Sequence, residues 1–123
     1  MRTFTEFLER IREYHPLEYI YDPSLGYLAW RLGTGDNLEF LFIEVAEKRK
    51  HYGTELYRQM VKRLEESGRR PYYSVFGFVL GGNDGARTFY SALGFQEVNL
   101  GRSVYKNDDT VLVWIPYEKL KKI

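Results

Sequence analysis

Between Thr3 and Tyr14 the apolar residues Phe4, Phe7, Leu8, Ile11 and Tyr14 follow helical spacing and share one helix face. Thr3-Phe4-Thr5-Glu6 reads as a capping box, with Thr3 as N-cap and Glu6 reaching back. His15-Pro16 closes the helix. LEYIY and LGYLAWRL read as strands separated by the turn residues Asp22-Pro23-Ser24, and Gly33 to Asn37 form a second turn. LEFLFIEV, from Leu38 to Val45, is a near-continuous apolar run, which suits a central strand covered on both faces. After the basic loop EKRKHYG the helical period returns. Leu56, Tyr57, Met60, Val61 and Leu64 share a face, and Gly68 ends it. PYYSVFGFVL is another strand, NDGARTFYSALGF (Asn83 to Phe95) a third helix, and FQEVNL and TVLVWIP close the chain as strands. The order α, β, β, β, α, β, α, β, β predicts one α/β domain over residues 1–123, with a central mixed sheet and helices on both faces.

Composition narrows the function classes. Net charge is +1, so no global basic field points to nucleic acid or to a membrane surface. There is no cysteine, which removes a disulfide framework, a thiolate nucleophile and thiolate metal ligands. No stretch approaches the ~18 apolar residues of a membrane span. The first residues alternate charged and apolar, unlike a signal peptide. A cytoplasmic monomer or small oligomer, a homodimer included, is the expectation. His15 and His51 lack metal-ligand spacing with any carboxylate pair, so no metal is expected. No serine-histidine pairing suggests a hydrolase. Gly77, Gly81 and Gly82 end a strand rather than open a helix in the dinucleotide pattern. Aromatics reach 17%, with 11 tyrosines, which fits a small chain filling its core with large side chains.

The third helix explains most of its own letters. Asn83 or Asp84 caps its first turn. Ala86, Phe89, Tyr90 and Leu93 share a face. Gly94 fits the left-handed position after the last turn, and Phe95 packs back on Tyr90 or its neighbours. A hydroxyl on the inward face, at Tyr90, is the part that capping and packing leave over.

The pattern N-x-x-A-x-x-F-Y-x-x-x-G-F, carried by Asn83, Ala86, Phe89, Tyr90, Gly94 and Phe95, resembles the second signature motif of the GNAT superfamily of N-acetyltransferases. Strand, basic loop and helix from Leu38 to Leu64 resemble the superfamily's first motif, which holds acetyl-CoA, and the element order resembles the fold over almost the whole chain. The resemblance implies transfer of an acetyl group from acetyl-CoA to a primary amine, on a small molecule or a peptide, by direct attack. It implies that Tyr90 is the general acid for the leaving thiolate. The chemistry agrees: a phenol with pKa near ~10 is protonated at neutral pH and donates as charge develops on a sulfur whose thiol titrates near ~8.5. The resemblance also places Asn83 along the pantetheine arm and backbone groups near Val45 on the thioester carbonyl.

Lys48, Arg49 and Lys50, with His51, Tyr52, Gly53 and Thr54, lie just before a helix start, where free amides and the helix dipole favour anions. They suit the phosphates of CoA. The family's loop carries Arg or Gln, two residues, Gly, one residue, then Gly or Ala. In one register Gly53 takes the last glycine position, His51 the first, and Lys48 the place of the arginine. In the other, Gly53 is the first glycine, Lys50 takes the Arg place and Glu55 the last position. The first is preferred, because Tyr52 to Leu56 looks like the family's helix start. A CoA-binding or regulatory module without catalysis is the alternative function, motivated by the missing glycine.

Glu39 and Glu44 interrupt the apolar strand. Partial desolvation makes such a carboxylate a better base for an ammonium that must lose a proton. On a regular strand the two face opposite sides, and a bulge would break that parity. Glu39 is the leading base. Glu44, His51 and a base acting through ordered water stay open, and one loop register counts the base position back to Asn37. Glu39 paired with a neighbouring strand's Arg or Lys is the structural reading of the same residue. Lys62, Arg63, Arg69 and Arg70 form a local basic cluster, more often a solvated helix end than an RNA patch. Acceptor contacts are expected from the first helix, Asp22 to Gly26, and Gly101 to Asp109.

Overall fold

An amphipathic stripe folds as helix where a sheet face covers it. In the computed structural model, which describes residues 1–68, 72–102 and 107–123, α1 (Phe4–Arg12) presses Phe7 and Ile11 onto one face of the sheet. Thr3 caps it: its hydroxyl oxygen accepts from the Glu6 amide, and the hydroxyl donates to the Glu6 carboxylate. The helix stops before His15-Pro16 and leaves Tyr14 edge-on against Phe42.

Strands β1 (Glu18–Asp22) and β2 (Gly26–Leu32) form a hairpin whose turn is held by Asp22, which accepts from the Ser24 amide and hydroxyl. The chain continues through β3 (Asn37–Val45), α2 (Tyr52–Glu66), β4 (Ser74–Leu80), α3 (Asp84–Leu93), β5 (Gln96–Arg102), β6 (Asp109–Pro116) and α4 (Tyr117–Leu120). The strands form one sheet in the order β1-β2-β3-β4-β6-β5. β3 and β4 run parallel, joined by α2 as a crossover, and the other neighbours are antiparallel. The mixed sheet and its two helical faces are those the element order predicts. On one face α1 covers Tyr27 and Ala29. On the other, α2 and α3 cover the larger core of Leu28, Trp30, Leu38, Phe40, Val75 and Val113. The sequence pattern ends on a strand, whereas the structure adds α4. Its four residues bury Tyr117 and Leu120 but are too few to show a helical period.

Two irregularities shape the centre of the sheet. Ala29 pairs with Phe42 and Trp30 with Phe40, so Leu41 is an extra residue on β3, a bulge. The ladder between β3 and β4 covers Asn37–Ser74, Leu38–Val75 and Glu39–Phe76 and stops there. From Phe40 to Val45, β3 pairs with β2 alone. Of the basic cluster on α2, Arg63 bonds Glu18 and the Tyr19 carbonyl. Arg69 and Arg70, and residues 103–106 of the Gly101 to Asp109 segment, lie outside the described residues.

Candidate functional site

Phe40 is the first residue of β3 beyond the end of the β4 ladder. Its ring lies over Gly77 of β4, where an added Cβ would come within 2.2 Å of it. On its other side Phe40 stacks on Tyr90, with centroids 5.0 Å apart and planes 13° apart. Phe95 closes the cluster, 4.9 Å from Tyr90 at 61°. Local sequence fixes this placement. Asn83 caps α3 by accepting from the Ala86 amide at 3.1 Å. Gly94 ends the helix at φ 97°, and the Phe95 amide returns to the Tyr90 carbonyl.

Tyr90 is 1% exposed, and its hydroxyl lies 2.9 Å from that of Tyr57 on α2. Burial pushes the Tyr90 phenol up, and the hydrogen bond with Tyr57 pulls it part of the way back. Burial also pushes Tyr57 up, with the electrostatic and hydrogen-bond influence of Tyr90 adding to it. Both therefore keep their protons at neutral pH. The two helices touch at Gly53, where a Cβ would meet the Phe89 ring at 2.8 Å. Gly53 thus has a packing role besides any role towards phosphate.

The basic loop lies beyond Val45, which pairs with Gly26 at the end of β3. Lys48, Arg49, Lys50 and His51 are exposed, and among the described residues none of them forms an ion pair. His51 is the N-cap of α2 but makes no side-chain cap. The first helical bond there runs from the Glu55 amide to the His51 carbonyl, so the amides of Tyr52, Gly53 and Thr54 precede it. Arg49 (φ 61°) and His51 (φ 60°) are left-handed, the backbone that glycine adopts without steric cost. That conformation at His51 agrees with the register in which His51 stands at the first glycine position.

Glu39 and Glu44 face the α1 side of the sheet. Glu39 accepts from Arg31 Nε at 2.8 Å, so the neighbouring-strand arginine of the structural reading is present. Glu44 accepts from the Tyr27 hydroxyl. Burial pushes Glu44 up, but the hydrogen bonds from Tyr27 and the Met1 ammonium outweigh it and hold the carboxyl below its ordinary range. Burial, then Glu44, pushes the Tyr27 phenol up to about 12. Beside Glu39 lies an open groove of about 880 Å³, bordered by Tyr14, His15, Arg31, Phe76 and Phe78. The carboxylate and Tyr90 thus approach the region where β3 and β4 part from opposite faces. His51, in the loop, does not border that groove.

Sequence reasoning missed the role of Tyr57 and the Phe40–Gly77 contact, and it expected a basic partner for Glu39 without naming Arg31. Tyr57 sits on the predicted inner face of α2 as Tyr90 does on α3, and that shared placement is the available signal. Among the described residues no cluster of His, Asp and Glu has metal-binding geometry, and no helix is long and apolar enough to cross a membrane.

No protein-family model matches the sequence, and no curated protein matches it. Solved structures do. The ribosomal-protein-S18-alanine N-acetyltransferase from Escherichia coli is similar at a TM-score of 0.63 and 18% identity, over 88% of this chain and 75% of that one. A GNAT-family protein from Desulfovibrio desulfuricans is similar at 0.71 and 17% identity, over 91% and 77%. A Bacillus subtilis acetyltransferase in complex with CoA is similar at 0.64 and 13% identity, over 92% and 84%. At these identities the likeness is one of fold: the chain has the fold of the GNAT acetyltransferases.

Proposed function

We propose that this chain, with its GNAT acetyltransferase fold, is an acetyl-CoA-dependent N-acetyltransferase acting on a primary amine of a small molecule or peptide. The observation that carries the reading is the parting of β3 and β4 beyond Glu39–Phe76, with Tyr90 packed on Phe40 at that point. A parted parallel pair leaves backbone groups of β3 available to an extended pantetheine arm. Exposed Lys48, Arg49 and Lys50 before the free amides of α2 suit its phosphates. Val45, His51, Tyr52, Gly53, Thr54 and Asn83 complete the cofactor set.

In this mechanism the amine nitrogen attacks the thioester carbonyl carbon, the C–S bond breaks, and the electron pair leaves on sulfur. Tyr90 donates its O–H hydrogen towards that sulfur. Its raised pKa makes complete early transfer unfavourable, so the donation stabilises charge as it develops. The sulfur leaves a dry site, where a thiolate is a stronger base than in water. The amine's proton passes to Glu39, directly or through water. Acetyl-CoA has to part the packing around the buried Tyr90 hydroxyl on binding.

The name of the Escherichia coli neighbour specifies an alanine amine of a ribosomal protein. Peptide N-termini therefore belong in the acceptor panel, with polyamines, amino acids and aminoglycosides. Thermal melting with acetyl-CoA and CoA tests the cofactor half of the reading. A ligand at ~100 times its dissociation constant stabilises by about 2.7 kcal/mol. No shift with either at millimolar concentration contradicts it.

A second reading rests on the left-handed backbone at Arg49 and His51. There the loop carries side chains where glycine would leave the backbone open to a phosphate, and in this reading the chain acts as a non-catalytic binding or regulatory module. Shifts with both ligands but no thiol release across the panel favour it.

A further inference from the structure

We propose that Tyr57 is a positioning residue for Tyr90: its hydroxyl donates to the Tyr90 oxygen and leaves the Tyr90 hydrogen free for the departing sulfur. This rests on the acetyltransferase reading above and assigns a role that packing does not explain.

Two hydroxyls hold two O–H hydrogens, and here they share one contact of 2.9 Å. Among the described residues neither hydroxyl has another hydrogen-bond partner. Both side chains are fully buried. Around Tyr57 stand the rings of Phe40, Phe89 and Phe95, with centroids at 6.1, 6.3 and 6.0 Å, and these offer no oxygen or nitrogen. Among the described residues, one hydrogen of the pair therefore has no acceptor. Trp30 Nε1 and the Tyr72 and Tyr117 hydroxyls are also buried without a partner among the described residues, and what sets this hydrogen apart is that its pair includes the candidate acid Tyr90.

Which hydroxyl donates is open in the free protein. The reaction selects one direction. As Tyr90 gives its hydrogen to sulfur, negative charge grows on its oxygen, and a donor from Tyr57 stabilises that charge. The reverse arrangement would tie the Tyr90 hydrogen to Tyr57 and deny it to the sulfur. A phenylalanine at position 57 would fill the inner face of α2 equally well, so the hydroxyl is the part that needs a role. The same helix begins at the basic loop, which couples the position of Tyr57 to the end of the site that holds phosphate.

The test is a double-mutant cycle on the full chain: wild type, Tyr57→Phe, Tyr90→Phe and the double variant. kcat and KM for acetyl-CoA are measured with an amine that the wild type acetylates. Tyr57→Phe is expected to lower kcat about tenfold, the worth of one hydrogen bond to a charged atom, with KM unchanged. The double variant should fall no lower than Tyr90→Phe. A kcat for Tyr57→Phe within twofold of wild type overturns the proposal, as do single losses that multiply in the double. If Tyr57→Phe fails to fold, 3-fluorotyrosine at position 57 supplies a more acidic donor with the ring retained. Its kcat should equal or exceed wild type, and a tenfold loss overturns the proposal. A wild type that acetylates nothing in the panel removes the enzyme reading, and this inference with it. An active wild type with multiplicative losses removes this inference alone.

Discussion

Glu39 and Glu44 lie on the same face of the sheet although they are five residues apart in β3. Their partners Arg31 and Tyr27 are four apart on β2, and the extra residue Leu41 absorbs the difference. A regular strand would have put one glutamate among the helices α2 and α3. The bulge instead brings both carboxylates to the α1 side and leaves the other side of β3 to Leu38, Phe40 and Tyr90.

Glu39→Gln tests the base. If Glu39 takes the amine's proton, the variant loses about 100-fold or more in kcat with KM for acetyl-CoA unchanged. Arg31→Leu, which removes its 2.8 Å partner, separates the two roles. A carboxylate that serves only that ion pair would give equal losses in both variants. The base role predicts a much smaller loss for Arg31→Leu. Steady-state kinetics with a single amine decides.

Glu44 predicts an acid-side stability effect. Its folded pKa lies below the ordinary 4.5. The stabilisation is therefore present above about pH 4.5 and is lost as pH falls through that value towards the lower folded pKa. Glu44→Gln should melt below wild type at pH 7 and converge with it as the pH drops below 4. Melting curves from pH 3 to pH 7 measure this, and a constant gap contradicts it.

His51→Gly relieves a left-handed residue at φ 60°. The steric gain of roughly 1–2 kcal/mol exceeds the entropic cost of glycine, roughly 0.5–1 kcal/mol. The variant should melt a few degrees higher and bind acetyl-CoA no more weakly. A large fall in turnover with binding intact would instead assign His51 as the base.

Gly77→Ala should destabilise by about 1–3 kcal/mol, because its Cβ would enter the Phe40 ring. Phe40→Leu should recover part of that loss in the double variant, since the two positions share one space. Chemical denaturation of the four proteins measures the coupling. An additive result contradicts the contact.

The elements were legible where periodicity, caps and stops agree. α3 shows all three: Asn83 at its start, an inner face from Ala86 to Leu93, and Gly94 at its end. The apolar run of β3 marked a central strand, and the opposite parity of Glu39 and Glu44 raised a bulge there without fixing its position at Leu41. Leu38, Phe40, Leu41, Phe42 and Ile43 are all apolar, so their pattern does not say which of them is the extra residue. Tyr90 was legible as an inward hydroxyl, but its partner was not. A hydrogen bond between two helices far apart in sequence depends on how they dock, and Tyr57 alone reads as another apolar-face residue. The positive charge of the loop was legible, whereas the left-handed backbone at Arg49 and His51 was not, because positive φ is uncommon for every residue but glycine.

The most direct measurement is release of CoA thiol from acetyl-CoA across the amine panel, with the acetylated product weighed by mass spectrometry. Acetyl transfer predicts at least one amine that gains one acetyl group per thiol released, and a loss of kcat in Tyr90→Phe. Thiol release no faster than the protein-free blank with every amine, from a protein whose melting shifts with acetyl-CoA, would contradict it.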